Sequence, residues 1–342
     1  MLWGGVARES SNIESNDKEK LFYKLYVLHN DISADYQDLL RDSIKPFGDF
    51  SSLYFINANN FFAKQWNTIS HKAHYAKEVL YKLLLTSNFP QYDKIIISDV
   101  DVVFLGDVSK SFLEFDINND IYISGVKMNN PDDFFPLHSW KEGYKKFSKK
   151  ELESIQYGIG GGYLIANLKK WREDNIESKM IDFLQNNANK LIQAEQDVLN
   201  IVCYPKIGKL SHAHIVGNAM WEIYGKSWER YKPNIYSQDE LESARLNPIQ
   251  IHYIGSGKPW HTPNTPKSDI WYKYLGQSPF AKIHLQNLEN TIINKYLKTT
   301  LPYRIKSYIK RNPMFLLKLG FYMKVINKIK ENYEKNRWKK YA

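Results

Sequence analysis

The feature that most constrains this chain is a run of three isoleucines, Ile95-Ile96-Ile97, that leads into two spaced acids, Asp99-Val100-Asp101. Consecutive β-branched apolar residues read as a strand buried on both faces. The two carboxylates follow where that strand should end, the edge at which open α/β sheets place their ligands. Two acids there repel each other unless something positive lies between them. A hard divalent ion such as Mn²⁺ or Mg²⁺ suits oxygen ligands of this kind. Taken alone, the same three residues are also what a plain turn after a strand looks like.

The pattern around this run alternates strands with helices. Phe22–Leu28, Leu53–Ile56, Lys94–Ser98, Val102–Leu105, Ile121–Val126 and Gln250–Ile254 read as strands. Helices are predicted over 33–44, with Ser33 as N-cap, over 71–86, with Asn88 and Pro90 as stop signals, and over 168–186. A short helix capped by Asp107 or Ser109 should run to Phe115, and Glu195-Gln196-Asp197 should open another. Residues 8–20 read as the end of a helix, and the polar, aromatic stretch 127–157 as a long functional loop. This alternation predicts an α/β fold with a largely parallel sheet.

Composition narrows the function. The net charge is +10, but residues 276–342 hold 15 Lys and Arg against three acids, so the remainder carries two acids in excess. An enzyme acting on nucleic acid would carry its positive charge around the cleft, so no nucleic-acid partner is expected. The single cysteine, Cys203, leaves no internal disulfide and fits a reducing compartment. Neither a signal peptide nor an apolar run of about 18 residues is present, so no membrane span is expected.

Three further stretches carry chemistry. Gly160-Gly161-Gly162 stands before a strand, where glycines allow close backbone approach to a ligand or form a bulge. His252 can complete a cation site begun by two carboxylates, and an imidazole leans the choice toward Mn²⁺; it can equally be a hydrogen-bonded structural histidine. Gly255 and Gly257 would let backbone amides reach an anion, with Lys258 as a point charge for phosphate; a surface turn ended by Pro259 reads the same way.

Four ordered stretches resemble glycosyltransferase family 8, the retaining enzymes that include bacterial lipooligosaccharide galactosyltransferases: Tyr92–Asp101, Gly162–Arg172, Glu195–Asn200 and His252–Trp260. The resemblance covers roughly residues 5–275. It implies a GT-A fold, a Rossmann-like mixed sheet flanked by helices, with a UDP-hexose donor and Mn²⁺, Mg²⁺ being the alternative. It implies that Asp99, Asp101 and His252 are metal ligands. The donor contacts it implies are Lys258, Gly255, Lys82, Gly161, Gly162 and Asp99. Glu195 and Gln196 would lie beside the donor sugar, Gln196 facing the anomeric carbon. An amide is a poor nucleophile, so front-side attack by the acceptor hydroxyl is expected, with Glu195 as nucleophile the alternative.

Two departures from the family pattern stand out. The usual first strand and its uridine-binding loop are expected to be missing, because the chain reads as starting inside the helix that follows them. That leaves a catalytically impaired nucleotide-sugar-binding relative as the alternative function, and an unrecognised upstream start as the other explanation. Lys82 stands where the family carries an arginine, which keeps the charge but loses the bidentate fork.

The domains are expected to be 1–275, catalytic, and 276–342, a basic amphipathic region. Phe315, Leu319, Tyr322, Ile326, Ile329 and Tyr333 recur at spacings of four and three, one helix face, with Lys318, Lys324, Lys328 and Lys335 mostly elsewhere. With Arg304, Lys306, Lys310 and Arg311, this predicts attachment through residues 300–342 to an anionic membrane surface. The acceptor would then be a saccharide or glycolipid at the cytoplasmic face of the inner membrane.

Overall fold

A computed structural model describes residues 2–4, 21–58, 61–69, 76–127, 145–218, 235–255 and 257–312, together with 314, 320, 322–324 and 326–331. The chain divides into two compact units, Met1–Ala281 and Lys282–Ala342.

The first unit is built on a seven-stranded sheet. Its strands are β1 (Leu2–Gly4), β2 (Tyr23–His29), β3 (Ser51–Asn57), β4 (Lys94–Ser98), β6 (Ile123–Lys127), β7 (Ile159–Asn167) and β8 (Ile207–Lys209). The order is β3-β2-β1-β4-β7-β6-β8. The sheet is mixed, not largely parallel: only β2·β3 and β6·β8 pair in parallel, because β1 and β7 run against the other five strands. The slot between β2 and β4 holds just three residues, Leu2–Gly4, antiparallel to both neighbours.

The isoleucine run forms β4 as expected, with Ile95, Ile96 and Ile97 all buried. They face two cores. Ile95 and Ile97 pack with Leu80, Leu164, Trp171 and Leu199, while Ile96 packs with Phe112, Val126, Tyr163 and Ile165. Both faces of the strand are therefore covered, which is why its apolar residues do not alternate with polar ones.

A second, three-stranded sheet consists of β5 (Val102–Phe104), β10 (Gln250–His252) and β9 (Val216–Gly217), in the order β5-β10-β9. β5 and β10 are antiparallel, and His252 is the register partner of Val102.

Helix boundaries differ from the sequence reading in three places. The region expected to be one helix over 71–86 is a 3₁₀ segment, Lys77–Leu83, followed by a single α-turn, Leu85–Asn88; residues 70–75 lie outside the described residues. Leu80 through Leu85 are six consecutive buried residues. A straight surface helix turns its side chains away from the core once per turn, so continuous burial requires a different path. The 168–186 helix is two, Leu168–Glu173 and Ile176–Asn187, broken by Asn175 at φ +53. The end of the expected 127–157 loop is the helix Lys149–Gln156, started by a capping box between Ser148 and Glu151. Residues 128–144, and the helix end expected at 8–20, lie outside the described residues.

The glycines expected before a strand are instead inside β7, all buried. Asn200 holds the start of that strand, accepting from the Ile159 amide at 2.8 Å and donating to its carbonyl at 3.0 Å.

In the second unit, Leu301–Arg311 is helical, as are Tyr322–Lys324 and Ile326–Glu331. Phe315, Lys318, Leu319, Tyr333 and Lys335 fall outside the described residues. Among the described residues, no helix is long and apolar enough to cross a membrane.

Candidate active site

The two sheets meet at Asp99-Val100-Asp101, the link between β4 and β5. The Asp99 amide donates to the Gly162 carbonyl at 3.1 Å, which fastens the start of the link to β7. The Asp101 carbonyl accepts from Tyr253 N at 2.9 Å, which fastens its end to the residue after β10. Asp99, Asp101 and His252 are thereby drawn together, and one ligand atom from each lies within 4.8 Å of the others. His252 Nε2 stands 3.0 Å from Asp101 Oδ1 and 3.6 Å from Asp99 Oδ2. All three side chains are half-buried.

Each carboxylate also has its own ammonium. Lys258 bonds Asp101 and the Tyr253 carbonyl. Lys82, fully buried, donates to Asp99 Oδ1 at 2.5 Å, Glu195 Oε1 at 2.8 Å and the Gly161 carbonyl at 2.9 Å. Burial alone would push the Asp101 carboxyl up, but its bonds to His252 and Lys258 outweigh that and hold it well below the usual carboxylate range. Burial likewise works against the Lys82 ammonium, and Asp99 and Glu195 more than offset it, so Lys82 is raised above an ordinary lysine. Burial raises the Glu195 carboxyl, against the pull of Lys82.

Glu195 and Gln196 open the helix Glu195–Cys203 after Ala194, which adopts φ +45. Gln196 Oε1 accepts from the Gly161 amide at 2.8 Å, and its Nε2 donates to Gln193 Oε1. Asp197 turns back to the preceding loop and accepts from the amides of Ile192 at 2.7 Å and Gln193 at 2.9 Å. Gly162 is needed for its lack of a side chain, and Gly161 has little room for one. A Cβ on Gly162 would stand 2.7 Å from His252 Nδ1, and one on Gly161 would stand 3.1 Å from Glu195 Oε1. Gly255 adopts φ +77, with open space where a Cβ would be. Beyond it, the Trp260 ring packs on Trp271 at 5.7 Å between centroids, and Pro259 accepts a bond from Tyr272, so the far end of the loop is anchored.

These contacts bring Asp99, Asp101, His252, Lys258, Lys82, Glu195, Gln196, Gly161 and Gly162 together, Lys82 from a fully buried position, while Gly255 stands in the loop that follows β10. Sequence reasoning passed over Gln250. It is fully buried, and its Nε2 donates at 3.2 Å to the same Gly162 carbonyl that holds Asp99. Its signal was a polar residue two positions before His252 in an apolar strand, on the same face by strand periodicity.

The donor set is chemically coherent. Two carboxylates and an imidazole suit a divalent cation, and Glu195 Oε2 is a buried oxygen with no hydrogen-bond partner among the described residues.

Comparison with known proteins agrees with this architecture. The family model for glycosyl transferase family 8 matches residues 6–263. General stress protein A of Bacillus subtilis is 23% identical over 266 residues, 76% of this chain and 84% of that protein. A lipopolysaccharide 1,2-glucosyltransferase of Escherichia coli K12 is 27% identical over 231 residues, 67% of this chain and 61% of its own length, so this chain spans less than two thirds of that relative. Among solved structures, the galactosyltransferase LgtC in complex with donor and acceptor sugar analogues superposes with a TM-score of 0.55 at 19% identity, over 74% of this chain and 84% of LgtC. The mixed sheet with flanking helices is thus a GT-A fold, and with three quarters of its length matched by the family model the chain belongs to glycosyltransferase family 8.

Proposed function

We propose that this glycosyltransferase is a retaining enzyme that moves a hexose, glucose or galactose, from a UDP-sugar to a saccharide acceptor of the lipopolysaccharide or lipooligosaccharide type. The observation that carries this reading is the meeting of Asp99, Asp101 and His252 with Lys258 at one sheet edge. Asp99, Asp101 and His252 would hold Mn²⁺, or Mg²⁺ in its place. When bound, the cation offsets the negative charge that develops on the departing nucleoside diphosphate. Lys258, tied in the free protein to Asp101, can turn to a phosphate oxygen, and the open backbone at Gly255 leaves room for that group.

Gln196 is held by Gly161 and Gln193 with its amide at the site, suited to steadying a cationic sugar or aligning the acceptor. Glu195 is buried with Oε1 on Lys82, an arrangement that supports a positioning role over a covalent one. Front-side attack by the acceptor hydroxyl therefore fits best, the leaving phosphate taking its proton. The acceptor class rests on the lipopolysaccharide glucosyltransferase among the relatives.

The same reading places the protein at the cytoplasmic face of an anionic membrane, reached through residues 300–342. The helix Leu301–Arg311 buries no residue; Leu301, Ile305 and Tyr308 are exposed beside Arg304, Lys306, Lys310 and Arg311. Apolar and basic side chains on one exposed helix suit the headgroup region of such a bilayer.

The test is a panel of UDP-hexoses assayed for UDP release with Mn²⁺, with Mg²⁺ and with EDTA, the anomeric configuration of the product being read by NMR. Metal-dependent release with retention is expected. No metal-dependent release from any UDP-hexose would overturn the reading.

A further inference from the structure

The two ammonium groups at the site differ in a way that their equal charge hides. Lys258 is partly exposed, with 20% of its side chain accessible, and follows two glycines in its loop. Lys82 is fully buried in the 3₁₀ segment Lys77–Leu83. An ammonium has three hydrogens to donate. Lys82 spends them on Asp99 Oδ1, Glu195 Oε1 and the Gly161 carbonyl, and so has none left for an incoming ligand. Glu195 and Gly161 are themselves fixed. Glu195 stands at the head of a helix, and Gly161 lies within β7 with its amide on Gln196.

We propose that Lys82 is a positioning residue for the cation site: it holds the Asp99 carboxylate in place from a buried post made by Glu195 and the Gly161 carbonyl, and it does not touch the donor. With Oδ1 pinned by Lys82, Asp99 turns Oδ2 toward His252, at 3.6 Å. The carboxylate can then meet a cation without first losing rotamer freedom. Lys258 plays the opposite part. It occupies the Asp101 carboxylate that the cation needs, and must leave when the cation arrives. The proposal rests on Asp99, Asp101 and His252 being the cation ligands.

This separates two expectations that are otherwise confounded. If charge alone mattered, neutralising either lysine would tighten cation binding, because each places positive charge beside the site. If Lys82 positions Asp99, neutralising it must weaken binding instead. Losing a partner that orients a metal ligand weakens metal affinity by about 10- to 100-fold.

The experiment is Mn²⁺ binding to the full chain in the absence of nucleotide, followed by the EPR signal of free Mn²⁺, with thermal unfolding of every variant alongside. For Lys258→Met, binding about two- to fivefold tighter is expected, the size of a partly exposed ion pair. For Lys82→Met, binding about tenfold weaker or worse is expected. Lys82→Met leaves the Glu195 carboxylate buried without its partner and can destabilise the fold, so Lys82→Met/Glu195→Gln is measured too; it removes the stranded charge and should still bind Mn²⁺ weakly. Weak binding in a double variant that unfolds at the wild-type temperature supports positioning, which a purely structural role would not produce. Wild-type or tighter binding in that variant overturns it while leaving the cation site intact. Absence of Mn²⁺ binding by the wild-type chain, with UDP present as well as without, overturns both the proposal and the cation reading beneath it.

Discussion

Gly162→Ala is the smallest change that should disable the site. Gly162 lies in β7 directly behind His252, and an added Cβ would stand 2.7 Å from His252 Nδ1 and 2.9 Å from Cε1. Ordinary contact begins at 3.4 Å, so the ring must retreat by at least 0.7 Å, the difference from 2.7 Å. It has little freedom to do so. The His252 carbonyl accepts from Asn218 N, the residue pairs with Val102 in the small sheet, and Nε2 faces Asp101 at 3.0 Å. The strand cannot give way either, because the Gly162 carbonyl is gripped by the Asp99 amide and by Gln250. Overpacking of this kind costs about 1–3 kcal/mol of stability, and a displacement near 1 Å at a reacting centre costs about 10²-fold in rate. We therefore expect the variant to fold, to unfold several degrees lower, and to lose about 10- to 100-fold in kcat/KM for metal-dependent UDP release. Gly161→Ala is the control. Its Cβ would meet Glu195 Oε1 at 3.1 Å, which asks for a shift of only about 0.3 Å against the 3.4 Å of ordinary contact, and the loss should be at least severalfold smaller. Wild-type Mn²⁺ affinity and rate in Gly162→Ala would refute the packing argument.

Other perturbations have equally definite outcomes. Asp101→Asn removes the charge that His252 and Lys258 share; Mn²⁺ binding followed by calorimetry should fall at least about tenfold. Burial holds the Asp197 carboxyl up at about 6 against its bonds from Gln193 and Ile192, so between its ordinary value and about 6 the folded chain keeps a proton the unfolded chain has lost. Stability from this group therefore falls as pH rises through that window, and Asp197→Asn should make the net rise of stability with pH steeper there in urea titrations. Burial takes His212 down to about 4, so it contributes the opposite slope, with stability lost as pH falls below its ordinary value; His212→Gln should flatten the acid loss in the same assay. Replacing Arg304, Lys306, Lys310 and Arg311 together by Glu should abolish sedimentation with anionic liposomes and leave UDP release from a soluble acceptor unchanged.

How much of this was legible in the residues depends on where the signal lay. The isoleucine run, the two acids and the His252–Lys258 stretch are local patterns; the acids and the histidine–lysine stretch each also admit a plain structural reading, and what singles out a site is their convergence, which follows from strands that end at one sheet edge. The direction of β7 was not legible, since an apolar strand reads alike in either sense and only its partners reveal that it opposes β4 and β6. The path of Lys77–Leu83 was hidden for a similar reason. Val79, Leu80, Tyr81, Leu83 and Leu84 look like helix, and only the buried Lys82 among them shows that this segment serves the interior. Gln250 was written plainly in its strand as a polar residue among apolar ones, but its partner is a carbonyl 88 positions away in the chain.

The link Asp99-Val100-Asp101 is also a splice. It is the stretch of chain that leaves the large sheet at Ser98 and enters the small one at Val102. Both its ends are tied, Asp99 to Gly162 and Asp101 to Tyr253. A three-residue joint fixed at both ends has no slack, so its length is as constrained as its composition. One inserted residue would leave both acids in the sequence and both sheets able to form, yet slip one carboxylate out of register with the other. A chain carrying that insertion would still match a search for paired acids and would have lost the geometry that makes the pair useful.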